Sequence, residues 1–267
     1  MSNILLAHPI LSDNASITDV GNQNANHPAT RLQFQQRTAK WQTVGLSSMN
    51  FIIDLGSNAS WQLIALLGNN SSSTATWRIR SDTVKANLTT SPNYDSGNIS
   101  MWPGSADLST WDFINSVHIP TAAHADRYIR IDITDSSNPD GYFAAGRLFV
   151  SSPWIPAINM AYGSGLRFED LTQKVRSLGG VAFATPRPRY RVFSFTLDFQ
   201  SEAEMYGNAF EYDRLRGESQ DILVSMDYEE TVYTHAQLIH GLMKNLKPIV
   251  NTNYSIFRKQ IEVEETL

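Results

Sequence analysis

The sequence predicts a mainly β protein of two domains, an antiparallel sandwich followed by a smaller β-sandwich with one embedded α-helix. Three observations lead there. The acidic residues segregate: the 11 within residues 1–150 are all Asp, whereas all 10 Glu fall at Glu169 or later. Asp favours turns and Glu favours helices, so loop-rich β structure precedes β structure with some helix. Short apolar runs bounded by Gly, Asn and Ser clusters recur through the first part. Between the parts, Ser151-Ser152-Pro153-Trp154-Ile155-Pro156 carries two prolines that interrupt regular structure. The expected boundaries are 1–150, a linker at 151–162, and 163–267.

In chain order, the first strand candidate is Asn50 to Leu55, stopped by Gly56. Trp61 to Leu67 is a dense apolar run that ends in Gly68-Asn69-Asn70-Ser71-Ser72-Ser73. Ala75 to Ser81 alternates, with Trp77 and Ile79 on one face and Arg78 and Arg80 on the other. Tyr128 to Ile133 alternates again, and a turn over 135–141 leads into Tyr142 to Val150. Many short strands with polar turns predict two sheets packed face to face. In the second part Arg191 to Phe199 places Phe193, Phe195, Leu197 and Phe199 on one face. Ser201 with Glu204 forms a capping box for a helix that runs to Arg216 and is stopped by Gly217. Ala203, Tyr206, Phe210 and Tyr212 give that helix its apolar side. Strands follow at 221–226, more loosely at 236–243, and at 254–263.

These segments carry two resemblances. Trp41, Phe51 to Gly56, Ile64 to Asn69, Arg78 to Asp82, Arg127 to Asp132 and Gly146 to Val150 resemble successive strands of a galactose-binding-like jelly roll of the discoidin type, found among carbohydrate-binding modules. Arg176 to Gly180, Arg187 to Arg191 and the strand, helix and strands that follow resemble tail proteins of long-tailed bacteriophages, as does the stretch from Asn138 to Phe149. That second likeness implies a distal-tail or tail-tube-like β-sandwich at 163–267. It further implies self-association into a ring, other tail or baseplate proteins as partners, and a place in the virion tail after synthesis in the host cytoplasm.

Candidate chemistry is sparse. Zero cysteines exclude a disulfide framework, a thiolate metal site and cysteine catalysis. A net charge of −5 gives no basic field for nucleic acid. No apolar run approaches the ~18 residues of a membrane span, and the stretch from Met1 to Pro9 lacks the basic start and long apolar core of a signal peptide. His235 and His240, five apart, share neither a helix face nor a strand face. They are expected to be solvated or at the core edge, and His118 and His124 to flank Pro120 within a loop. Ala161-Tyr162-Gly163-Ser164-Gly165 lacks the nucleophile-elbow pattern, and Gly179-Gly180 is a tight turn. Glu229-Glu230 and Glu262, Glu264 and Glu265 are expected to be solvated charges. Asp135, Asn138 and Asp140 have oxygens but not the spacing of a calcium loop. The jelly-roll likeness keeps a structural calcium ion open. No catalytic, cofactor or metal residue is assigned.

Two groups remain as contact candidates. Tyr94, Trp102 and Trp111 lie in a polar stretch with Pro and Gly beside them. They are either stacking platforms for a glycan, with Trp102 foremost, or rings that plug the sandwich end or meet a neighbouring subunit. Arg187, Arg189 and Arg191 form a local positive run suited to an acidic protein partner. The expected function is therefore a structural tail-tip or baseplate component, with host-glycan recognition as the alternative, and no enzyme activity.

Overall fold

The computed structural model describes residues 3–19 and 21–266; Met1 and Ser2 of the amino-terminal stretch, Val20 and Leu267 lie outside them. The chain divides into two compact units, residues 1–155 with 225–238, and residues 156–224 with 239–267. The composition break near residue 150 gave no sign that 225–238 returns to the first unit.

Strands that alternate in the larger sheet and are buried throughout at Leu63–Asn69 and Arg147–Ser151 build the first unit. Strands β1 (Ser16–Asp19), β2 (Met49–Trp61), β3 (Leu63–Asn69), β4 (Thr76–Asp82), β5 (Tyr94–Ser100), β6 (Ile114–His118), β7 (His124–Thr134) and β8 (Arg147–Ser151) follow in order. One sheet runs β1-β2-β7-β4-β5 and the other β8-β3-β6, with every pair antiparallel. Inward residues from both sheets form a single core: Phe51 and Ile53 of β2, Trp77 and Ile79 of β4, Ile129, Ile131 and Ile133 of β7, Ile64 and Leu66 of β3, and Leu148 and Val150 of β8. The protein is thus mainly β, and its first unit is the two-sheet sandwich that the sequence predicts.

The outward residues of the larger sheet form an ionic ladder. Arg80 Nη2 lies 2.5 Å from Asp132 and Arg130 Nη2 lies 2.8 Å from it, while Arg127 reaches Asp54 at 2.7 Å and Arg78 meets Asp95. The Arg78 bond holds Asp95 down at about 2. Every acid in this ladder is an Asp, whose short stem suits a cross-strand neighbour.

The second unit is built on one main sheet. It contains β9 (Gly165–Asp170), β10 (Gln173–Arg176), β11 (Ala182–Thr185), β12 (Arg189–Ser201), β13 (Ile222–Ser225), β14 (Leu238–Met243), β15 (Val250–Asn253) and β16 (Ile256–Glu265). The order β13-β14-β16-β12-β9 has Phe193 opposite Val263 and Phe195 opposite Ile261, and β15 also pairs with β16. β10 and β11 pair only with each other. All their side chains are exposed, so this ribbon is not the second layer of a sandwich.

Three expectations change here. A bulge between Leu197 and Gln200 turns the alternation over, so Phe199 sits at φ 59° and 64% exposed instead of on the core face. Asp198 and Gln200 are buried there, Asp198 with Arg258 at 2.5 Å. The helix is capped by Ser201, whose Oγ accepts from Glu204 N, and ends at Gly217 with φ 52°. It contains a π-helical turn at Met205–Ala209. Its buried side is Met205, Ala209 and Tyr212, while Tyr206 and Phe210 are half exposed and Ala203 is exposed. Finally, the acids near the C-terminus are paired rather than merely solvated. Glu265 is buried against Arg191 at 2.6 Å, Glu262 meets Arg167 at 2.8 Å, and Glu264 meets Lys244 at 3.2 Å.

Removing one partner of the buried pair leaves the other charge without compensation. Arg191→Ala is expected to lower the free energy of unfolding by about 3–5 kcal/mol in a urea titration. The exposed Arg167→Ala should change it little.

Candidate functional site

The first unit carries an open cleft of about 310 Å³ lined by Trp102, Trp111, Asp112, Ser73 and the Asn69–Ser72 turn. Local chemistry explains why the loop 101–114 holds this shape. Met101, Leu108 and Ile114 are buried pegs. Between them Asp107 Oδ1 accepts from Ser109 N at 2.9 Å, and Trp111 N donates to Leu108 O at 3.0 Å. Trp102 and Trp111, each beside or near a peg, are left half-buried.

The opposite wall is fixed by side-chain amides. Asn69 Nδ2 donates to Leu66 O at 2.8 Å and to Ser116 Oγ at 3.0 Å. Asn70 Nδ2 donates to Asp140 Oδ2 at 2.7 Å while its Oδ1 accepts from Ala144 N at 2.8 Å. Asp135 accepts from Ser72 N at 3.0 Å and from Asn138 Nδ2 at 2.9 Å. The oxygens weighed for calcium therefore staple two loops together through protein donors. Among the described residues, no group of three or more His, Asp or Glu is gathered for a metal ion.

Residues 225–238 brace this site from far along the sequence. The His235 ring meets Trp111 edge-on at 4.4 Å. Ala106 N donates to Val232 O at 3.1 Å, and Gly104 at φ 79° lies so close that a Cβ there would come within 2.4 Å of the same oxygen. Glu230 stiffens the segment by accepting from Val232 N at 2.7 Å and Tyr233 N at 3.2 Å, bonds that lower its pKa. A second cleft of about 390 Å³ lies between Trp102-Pro103-Gly104 and Tyr228, Glu230 and Thr234, so Trp102 borders both. The sequence suggests only solvated or core-edge roles for His235 and Glu230 and does not single out Val232. Their only local signal is the run Asp227 to His235, which mixes polar residues with Tyr228, Val232 and Tyr233 and has no strand alternation.

Tyr94 is elsewhere. It packs edge-on to Trp61 at 5.4 Å and beside His124 at 4.1 Å, and its Oη lies 2.5 Å from His118 Nε2. His118 and His124 stand at the ends of β6 and β7, not in a loop. The arginine run also separates. Arg187 and Arg189 are exposed, Arg189 3.4 Å from Asp170, whereas Arg191 lies inside the sheet against Glu265 and contributes no surface charge.

His235 and His240 are both buried rather than at the core edge, on different elements. His240 Nε2 is 3.0 Å from Asp221 Oδ2 and its Nδ1 is 3.1 Å from Thr266 Oγ1. This Asp–His–Thr row has the order of a hydrolytic triad, but it serves the sheet: Thr266 N also donates to His240 O at 3.1 Å, and Asp221 and His240 are wholly buried. Tyr162-Gly163 forms a turn, with Ser164 Oγ donating to Ala161 O at 2.9 Å. Gly180, at φ 84°, helps close the β10–β11 turn. No helix is long and apolar enough to cross a membrane among the described residues.

No protein-family model matches the chain, and no curated protein matches it. Among solved structures it is similar to CBM32-1 from a family 31 glycoside hydrolase from Clostridium perfringens, at 12% identity and TM-score 0.38, covering 55% of this chain and 99% of that one. It is similar to chitosan-binding module 1 from a chitosanase/glucanase of Paenibacillus sp. IK-5 at 16% identity and TM-score 0.38, covering 54% and 100%. The family 32 CBM from C. perfringens NanJ, solved with galactose, gives 15%, 0.38, 55% and 98%. The chain covers 27% of the length of SpGH29, at 14% identity and TM-score 0.39.

Burial, then the charge of His124, push the His118 pKa down to about 4. The unfolded chain, with an ordinary histidine near 6.5, takes up the proton first. Stability is therefore expected to be whole above pH 6.5 and to fall as pH drops towards 4. Melting temperatures across that range should show the slope, and His118→Gln should flatten it.

Proposed function

We propose that this chain is a non-catalytic binding protein whose first unit recognises a carbohydrate at the cleft between Trp102 and Trp111. The observation that carries the reading is the convergence of these two half-buried indoles with Asp112, Ser73 and Ser109 on one open cleft. An indole face suits the C–H side of a pyranose, and carboxylate and hydroxyl groups suit its rim of hydroxyls. Rings held by pegs at Met101, Leu108 and Ile114 need little ordering on binding. The structures of similar fold include a chitosan-binding module and a module solved with galactose, which agrees with the ligand class. Retention on a glycan array is expected for the wild-type chain, and to fall by about tenfold or more in Trp102→Ala, Trp111→Ala and the exposed variant Asp112→Ala. No retention by wild type, or retention unchanged in all three variants, removes the reading.

A second reading, compatible with the first, is a structural component of a long-tailed bacteriophage tail tip or baseplate. It would self-associate through the second unit and present the first outward, without nucleic-acid contact or membrane insertion. The observation favouring it is the β10–β11 ribbon, whose side chains are all exposed. Mass spectrometry of purified virions should find peptides of this chain, and antibody labelling should place them at the tail. Virions without it remove this reading and leave the carbohydrate proposal standing.

A further inference from the structure

The β10–β11 ribbon has a surface that water alone serves badly. Its register sets Val175 opposite Phe183, with Lys174 opposite Ala184 and Arg176 opposite Ala182. Val175 is 67% and Phe183 62% exposed, and Leu178 is fully exposed near the tip. A two-stranded ribbon is at best marginal in water, so an apolar pair across it calls for a partner surface. The ribbon is also charged in one sense. Residues 171–189 hold Lys174, Arg176, Arg187 and Arg189 and no carboxylate. In a chain of net charge −5 the remainder therefore carries −9.

A surface with the complementary properties lies elsewhere in the same unit. The start of the helix and the β15–β16 turn border an open cleft of about 490 Å³ lined by Glu202, Tyr206, Asn251, Tyr254 and Phe257. Tyr206 stands edge-on to Phe257 with ring centroids 5.6 Å apart. Tyr254 is 92% exposed on the turn, where Ser255 takes φ 52°. Glu202 forms no ion pair among the described residues. Rings and an unpaired carboxylate together suit an apolar segment that brings cations.

We propose that the ribbon of one chain seats in this cleft of a second copy of the same chain. Val175 and Phe183 would pack on Tyr206, Tyr254 and Phe257. The long stems of Lys174 and Arg176 would reach past the ribbon edge towards Glu202 and the acidic remainder. Donor and acceptor surfaces differ, so the contact is heterologous and adds copies head to tail, into a ring if the rotation closes. The proposal rests on the assembly reading above but is tested in solution without virions.

Sedimentation velocity of the full chain, from micromolar to near-millimolar concentration, reads it directly. Wild type is expected to associate and to do so less as salt rises. Lys174→Glu with Arg176→Glu, and separately Glu202→Lys, should raise the dissociation constant by about tenfold or more. All three together should recover part of the association. These positions are exposed, so an unchanged circular dichroism spectrum and melting temperature verify that each variant folds. A wild-type chain that stays monomeric throughout overturns the proposal. So does association that no charge reversal alters, or variants whose combination recovers nothing. Peptides found in virions alongside a monomer in solution would keep the tail reading and discard this contact.

Discussion

Three indoles, Trp41, Trp61 and Trp77, are sealed in the core between the sheets of the first unit, and the loops take their positions from that packing. Trp41 stands edge-on to Phe51 at 5.1 Å and to Phe143 at 5.8 Å, tying the strand that follows the early loops to the segment that precedes β8. Met101 belongs to the same core, so the loop that carries Trp102 begins from a fixed point. Truncating one such indole would cost about 3–5 kcal/mol, a large share of the stability of an ordinary domain. A polar loop of this length would otherwise sample many conformations. Anchoring it at both ends and once in the middle converts a flexible polar stretch into a cleft with set walls.

The two units solve the problem of charge differently. On the first, arginines and aspartates alternate across the outer face of a sheet, partly open to water, where each pair adds little by itself. On the second, the Arg191–Glu265 pair is withdrawn from solvent and Glu265 Oε2 also accepts from Arg191 N at 3.1 Å. A pair placed there fixes the register between β12 and β16, because a slip by one residue would bury each charge without the other. The ribbon is the exception in this unit, with cations exposed and no acid within its span.

What the sequence made legible follows the range of the interactions involved. Trp77 and Ile79 against Arg78 and Arg80 is a period of two, visible in neighbouring residues, and it holds in the sheet. Ser201, Glu204 and Gly217 mark the helix ends because capping is settled within four residues. Trp102 and Trp111 stand out as candidates because rings among turn residues are conspicuous, and the structure brings those two to one cleft but not Tyr94. Phe199 misled because a bulge depends on the partner strand, which alternation does not register. Arg191 misled for a similar reason: Glu265, its partner, is distant in sequence. Residues 225–238 were the largest omission. Their contacts with 104–111 span more than a hundred residues and leave no local pattern.

That return of the chain has a consequence for how the protein can be taken apart. A fragment cut at the proline-rich junction would keep all eight strands of the sandwich and both indoles of the cleft, yet it would lack the segment that carries His235 and Val232. Trp111 would lose its edge-on neighbour and Gly104 the backbone oxygen it was shaped to approach. The first unit is therefore not one uninterrupted stretch of the sequence. The walls of the Trp102–Trp111 cleft are braced only after the ribosome has made most of the second unit as well.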